Sequence, residues 1–163
     1  SDSDSSTNNG IIIAQQDYRG VFGIGGPIES VGRLRYIDGC TDSLLIAPSL
    51  FGDPCLNVLY FIRDLNQTPH THPSLRCGIV TNGFGYCVLQ NERRVRLERD
   101  CVFLIPKNTL HSFQTEEDEE PLTVIAFHPD SDFGPKHEQH PMINRTMIND
   151  VSASYMTEIH TKT

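Results

Sequence analysis

The chain has 163 residues, enough for one domain with a substantial core and too few for two comfortable ones. With 13 Lys+Arg against 21 Asp+Glu its formal net charge is −8, which repels nucleic-acid phosphates and anionic membrane surfaces. Apolar runs such as Ile11–Ala14 stop far short of the about 20 residues a membrane helix requires, and an odd set of five cysteines without a C-x-x-C pair suits free thiols in a reducing cytoplasm.

Along the chain, residues 1–10 read as a polar, disordered tail with none of the basic-then-apolar pattern of a secretory leader. Residues 11–32 read as an N-terminal extension. From 33 to 128 the sequence is a series of short apolar or alternating runs: "RLRYID", "SLLIAPSLF", "LNVLYFIR", "RCGIVTN", "FGYCVLQ", "RRVRLE", "CVFLIP", "LHSFQT" and "LTVIAFH". Gly, Pro, Asp and Asn punctuate them at roughly ten-residue spacing, with no helical period between, which predicts an all-β antiparallel barrel or sandwich. Asn82-Gly83 carries the signal of a tight hairpin because both residues accept positive φ, and "QNER" predicts the next one. Glu116–Glu120 reads as a solvated acidic loop. Residues 129–163 lose the alternation and are expected to form an irregular wrap or a lid.

Three histidines concentrate the chemistry. His70 and His72 alternate across one residue, so on extended chain they project the same way, about 6 to 7 Å apart. Two such histidines are an ordinary surface feature by themselves. In "IPKNTLHSF", however, a proline and a turn-forming Asn108 deliver His111 onto a further strand.

These residues carry a resemblance to the cupin superfamily, whose first motif is G-x5-H-x-H-x3-E-x6-G and whose second is G-x5-P-x-G-x2-H-x3-N. The first runs Asp64, His70, His72, Arg76, Gly83 and the second Asp100, Pro106, Asn108, His111, Thr115, with every interval matched. The resemblance covers about residues 33 to 127 and implies an antiparallel double-stranded β-helix, the jelly-roll cupin barrel. Asp64, Asp100 and Asn108 stand where the family has glycine, and Asp and Asn are the residues that most readily take left-handed turn conformations in its place. Arg76 stands where the family has a metal-binding glutamate and binds no cation. Cys77 falls five residues after His72, where cysteine-oxidising thiol dioxygenases carry a cysteine, although Gly83 gives that register to Arg76.

The resemblance implies one divalent metal held by His70, His72 and His111, with Fe(II) favoured and Mn, Ni, Zn or Cu as alternatives. Three neutral imidazoles leave such an ion its full charge, so the expected partner is a small anionic molecule, with open positions for substrate. Arg76 is expected either to hold a substrate carboxylate or phosphate two-pronged or to pair with a nearby carboxylate such as Asp64 and only shape the barrel. Tyr60 and Tyr86 are candidate proton donors, set against the plainer role of core aromatics. Arg33, Arg35 and Arg63 are further anion contacts to test, and His128, His137 and His140 suggest a second metal site or exposed loop histidines. The expected activity is that of a non-haem Fe(II) dioxygenase, with a redox-neutral lyase, isomerase or decarboxylase and a non-catalytic binding module as alternatives. The family also implies a homodimer.

Overall fold

The computed structural model describes residues 10–130 and 145–159. Nine strands between Leu34 and His128 build two antiparallel sheets: β1 (Leu34–Arg35), β2 (Thr41–Ile46), β3 (Cys55–Phe61), β4 (Arg76–Asn82), β5 (Phe84–Leu89), β6 (Arg94–Glu98), β7 (Val102–Ile105), β8 (His111–Gln114) and β9 (Leu122–His128). The larger sheet runs β1-β2-β3-β9-β4-β7 and the smaller β6-β5-β8, the double sheet of a jelly roll. Each of the nine runs predicted from alternation contributes one of these strands, because one face of each is apolar and must be covered. A small hairpin, β10 (Met147–Ile148) with β11 (Val151–Ser152), lies beyond the barrel.

Strand parity decides what faces inward. In β3, Asn57, Leu59 and Phe61 share one face, and in β9 so do Leu122, Val124, Ala126 and His128. These meet Val80, Leu97, Ile105 and Phe113 around a core in which Phe61, Leu122 and Val80 are fully buried. One row across the large sheet, Asn57–Ala126–Gly78–Phe103, is poor in bulk at its centre. Leaving that row small keeps space between the sheets.

The turns follow the replacement logic of the sequence. Asp64, Asp100 and Asn108 have φ of 52°, 70° and 59°, and Gly83 has φ 76°. The tight hairpin expected at Asn82-Gly83 does not form, however. β4 pairs with β7 and β9 while β5 pairs with β6 and β8, so the chain changes sheets at Gly83. A Cβ there would sit 2.1 Å from the Pro121 carbonyl oxygen, so the corner admits only glycine. The "QNER" hairpin does form, with β5 and β6 in register from Val88–Arg94. The acidic run between β8 and β9 is exposed.

Among the described residues no helix is long and apolar enough to cross a membrane. The five cysteines form no disulfide, and burial pushes the Cys40 and Cys87 thiols up to about 11.

Candidate metal centre

His70 and His72 lie on irregular chain rather than on a full strand, yet the segment runs beside β8. His70 and His111 exchange two backbone hydrogen bonds, of 2.8 and 3.0 Å, as an isolated antiparallel bridge. Directly opposed residues carry their side chains on the same face, so the bridge sets the two imidazoles side by side with ring centres 4.6 Å apart. The amide of Asn108, in its left-handed turn, donates to the His72 carbonyl at 2.7 Å and ties the second histidine to the same loop. Gln67 secures the approach: its almost wholly buried side chain accepts from the Phe113 amide through Oε1 at 3.2 Å.

The ligand atoms of His70, His72 and His111 lie within 4.8 Å of one another. Metal–nitrogen bonds of about 2.0–2.1 Å place tetrahedral ligands about 3.4 Å apart, so small rotations of the rings suffice to close on an ion. The backbone has also chosen the tautomer. Nδ1 of His70 donates to the Thr68 carbonyl and Nδ1 of His111 to the Thr109 carbonyl, both at 2.8 Å, leaving each Nε2 lone pair for a metal. Burial, then the charge of Arg76 and the other histidines, lowers His72 to about 4, and burial also lowers His111. Neutral imidazoles at neutral pH are what a cation requires.

The histidines line a cavity of about 270 Å³ between the sheets, with apolar walls from Leu59, Phe61, Phe103 and Val124. Arg76 lines it too, its side chain only 15% exposed. A carboxylate does lie near Arg76, though it is not that of Asp64. Asp64 occupies its own turn, and the carboxylate near Arg76 is that of Asp130, at 3.9 Å. One guanidinium nitrogen donates to Ser74 and to the Leu75 carbonyl, while the buried Nε has no protein acceptor.

Tyr60 and Tyr86 fall outside the lining, and strand parity is the reason. Leu59 and Phe61 point into the cavity, so Tyr60 between them faces the opposite side of the sheet, where burial and nearby Glu29 raise its phenol. Tyr86 lies on the outer face of β5 beneath the Arg94 guanidinium, 3.8 Å from its ring centre. Cys77 likewise alternates away from Arg76, and burial raises its thiol. Arg33 pairs with Glu29 at an exposed position, and Arg35 and Arg63 are exposed. His137 and His140 lie outside the described residues.

Three cavity groups come from elsewhere in the chain, one of them braced by Asn57. His128, expected in the C-terminal segment, ends β9 facing inward; burial and the Arg76 charge lower it to about 3. Asn57 Nδ2 lies 3.0 Å from His128 Nδ1, so the amide donates to a neutral ring. Asp42 lines the cavity from β2, and burial raises its carboxyl to about 6. Tyr36 packs edge-on against His70, ring centres 6.4 Å apart, where burial raises its phenol. The alternation of "LTVIAFH" already carries the signal for His128, since its apolar members Leu122, Val124 and Ala126 share its parity.

A family model described as the AraC-like ligand binding domain matches residues 60–136, the stretch that contains the triad and Arg76. A cupin-like protein from Thermotoga maritima superposes with a TM-score of 0.50 at 21% identity, over 70% of this chain and 82% of the other. The chain has the cupin fold. Other solved cupin-type matches are KdgF from a Halomonas species, at 24% identity, 58% and 84% coverage and a TM-score of 0.47. The polyketide cyclase RemF from Streptomyces resistomycificus matches at 19% identity, 58% and 68% coverage and a TM-score of 0.49. No curated protein matches the sequence. Within this cupin barrel, the three histidines form the group suited to a metal ion among the described residues.

Proposed function

We propose that the protein is a metal-dependent enzyme acting on a small anionic molecule, with His70, His72 and His111 as ligands and Arg76 as the anion contact. The observation that carries this reading is the convergence of three imidazoles with a largely buried guanidinium on one cavity. A divalent ion bound there supplies Lewis acidity or, as Fe(II), redox chemistry, and keeps its full charge because no ligand is anionic. The carbonyls of Thr68 and Thr109 orient two of the rings. Arg76 supplies an unsatisfied donor beside the centre, so an anionic group gains both a charge partner and a hydrogen bond. The apolar walls exclude water and strengthen these interactions.

Oxidation of that anion by dioxygen, with Fe(II), is the first reaction class. Asp42 and His128, two titratable groups on the same cavity, favour a second one, redox-neutral proton transfer of the lyase or isomerase type. The ligand-binding description of the matched family favours a third reading, a non-catalytic sensor. A pure binding barrel has no need of three oriented ligands.

The deciding experiment is metal analysis of protein purified without added metal, beside His111→Ala. About one ion per chain is expected for the wild type, and at least a tenfold weaker metal affinity for the variant. Equal metal content in both overturns the site. Once a turnover assay exists, a rate unchanged under strict anaerobiosis removes the dioxygenase.

A further inference from the structure

Two polar atoms of this cavity are buried without a protein partner, and they are of opposite kinds. Arg76 Nε is a donor and Asp42 Oδ1 an acceptor. A buried polar atom left unsatisfied is costly, so such atoms on a cavity wall mark what a ligand can offer. An anion satisfies Arg76 and gives Asp42 nothing. A ligand that also donates a hydrogen bond satisfies both.

The sheet register says how far apart those two groups on the ligand must be. One position beyond the Cys77–Phe127 pair, Arg76 lies opposite His128 at one end of the inner face. Asp42 lies in the row Asp42–Leu59–Val124–Val80, four residues further along β4. At about 3.3 Å per residue the two rows are about 13 Å apart along the strands, and β2 lies three strands from β4, about 14 Å across, a separation that the long arginine side chain and the curvature of the sheet shorten. Tyr36 lines the same cavity, and the charges of Arg76 and Asp42 both act on its phenol. Between the two rows the wall carries the apolar Ala126 and Phe103, and Leu59 and Val124 continue it beside Asp42. A cavity of 270 Å³ holds about nine non-hydrogen atoms at about 30 Å³ each, the size of a six-carbon acid with one hydroxyl.

We infer that the cavity takes a short-chain hydroxycarboxylate, its carboxylate at Arg76 and the metal centre and its distal hydroxyl donating to Asp42, which makes Asp42 the specificity-determining residue. This inference rests on the reading of the site as an anion-binding metal centre. It adds a second pole to the ligand and an apolar spacer between the two.

The test is calorimetric titration of the zinc-loaded full chain with hexanoate, 6-hydroxyhexanoate and 6-aminohexanoate, in wild type and Asp42→Ala. The hydroxy acid is expected to bind wild type about tenfold or more tighter than hexanoate, the worth of a hydrogen bond to a charged group. In Asp42→Ala that advantage falls below about twofold, while hexanoate itself binds as before. Asp42→Asn keeps an acceptor and the side-chain volume, is expected to retain part of the advantage, and serves where the alanine variant does not fold. Equal binding of the two acids to wild type, or an advantage that survives Asp42→Ala, overturns the inference while leaving the anion-binding reading intact. Tightest binding of the amino acid overturns the hydroxyl in favour of an ammonium. Failure of all three acids to bind metal-loaded protein overturns both.

Discussion

Arg76 stands in the register of a metal-binding carboxylate, and that exchange reverses the electrostatics of the cavity. A glutamate there would neutralise part of an ion's charge; the guanidinium adds to it. Burial and the Arg76 charge explain why His128 and His72 are both held low, since each would have to ionise beside a fixed cation. For Arg76→Gln we expect unchanged metal content and at least a tenfold loss in hexanoate affinity, because a charge-assisted hydrogen bond in a sheltered site contributes about 1.5–3 kcal/mol. Metal analysis with titration reads both numbers, and an unchanged affinity removes Arg76 from the anion contact. The three histidines were legible in the sequence because their spacing to turn residues is itself local. Asp64, Asp100 and Asn108 take the positive φ that glycine would take, so the loops that carry the ligands keep their shape. Tyr60 and Tyr86 were misplaced because hydroxyl chemistry says nothing about which face of a strand is inward.

At the level of elements, the cavity exists because β4 and β9 are small where they cross. Gly78 opposes Ala126, and a Cβ on Gly78 would meet the Ile125 carbonyl oxygen at 2.0 Å. Gly78→Ala therefore has to separate two central strands of the six-stranded sheet rather than merely fill space. We expect a destabilisation of about 2–4 kcal/mol, read as the shift in denaturant midpoint at constant slope. A shift below about 0.5 kcal/mol contradicts this placement of the strands. The His70–His111 bridge is the corresponding element-level device for the site, joining a loop to β8 so that residues 41 positions apart present their rings together. All nine strands were legible from alternation, but the Asn82-Gly83 hairpin was not. An Asn-Gly pair accepts positive φ equally well in a hairpin and in a corner between sheets, and only the partners of β4 and β5 tell the two apart.

For the molecule as a whole, the buried titratable groups oppose one another as pH changes. His72 and His128, at about 4 and about 3 when folded, stay neutral while the unfolded chain takes up protons below the ordinary value of 6.5, so acidification through that window costs stability. His111 is displaced in the same direction. Asp42 acts the other way: between its ordinary 3.8 and about 6 the folded chain holds a proton that the unfolded chain has released, so acidification there relieves a cost. Three histidines against one carboxylate leave a net loss. In metal-free protein Tm is expected to fall steadily as pH drops from 6.5 towards 4, and in Asp42→Asn to fall more steeply below pH 6. Thermal melts across that range check this, and a Tm that rises on acidification contradicts it.

The sequence by itself determined the strand content, the left-handed turns and the three candidate ligands, because alternation, turn chemistry and motif spacing are all read within a few residues of one another. The tertiary structure decided which other groups share the cavity. Asp42, Tyr36 and His128 come from two strands and a turn with no common motif. They meet because β3 pairs with β2 on one side and β9 on the other, and strand adjacency is a long-range choice made by packing the whole apolar face at once.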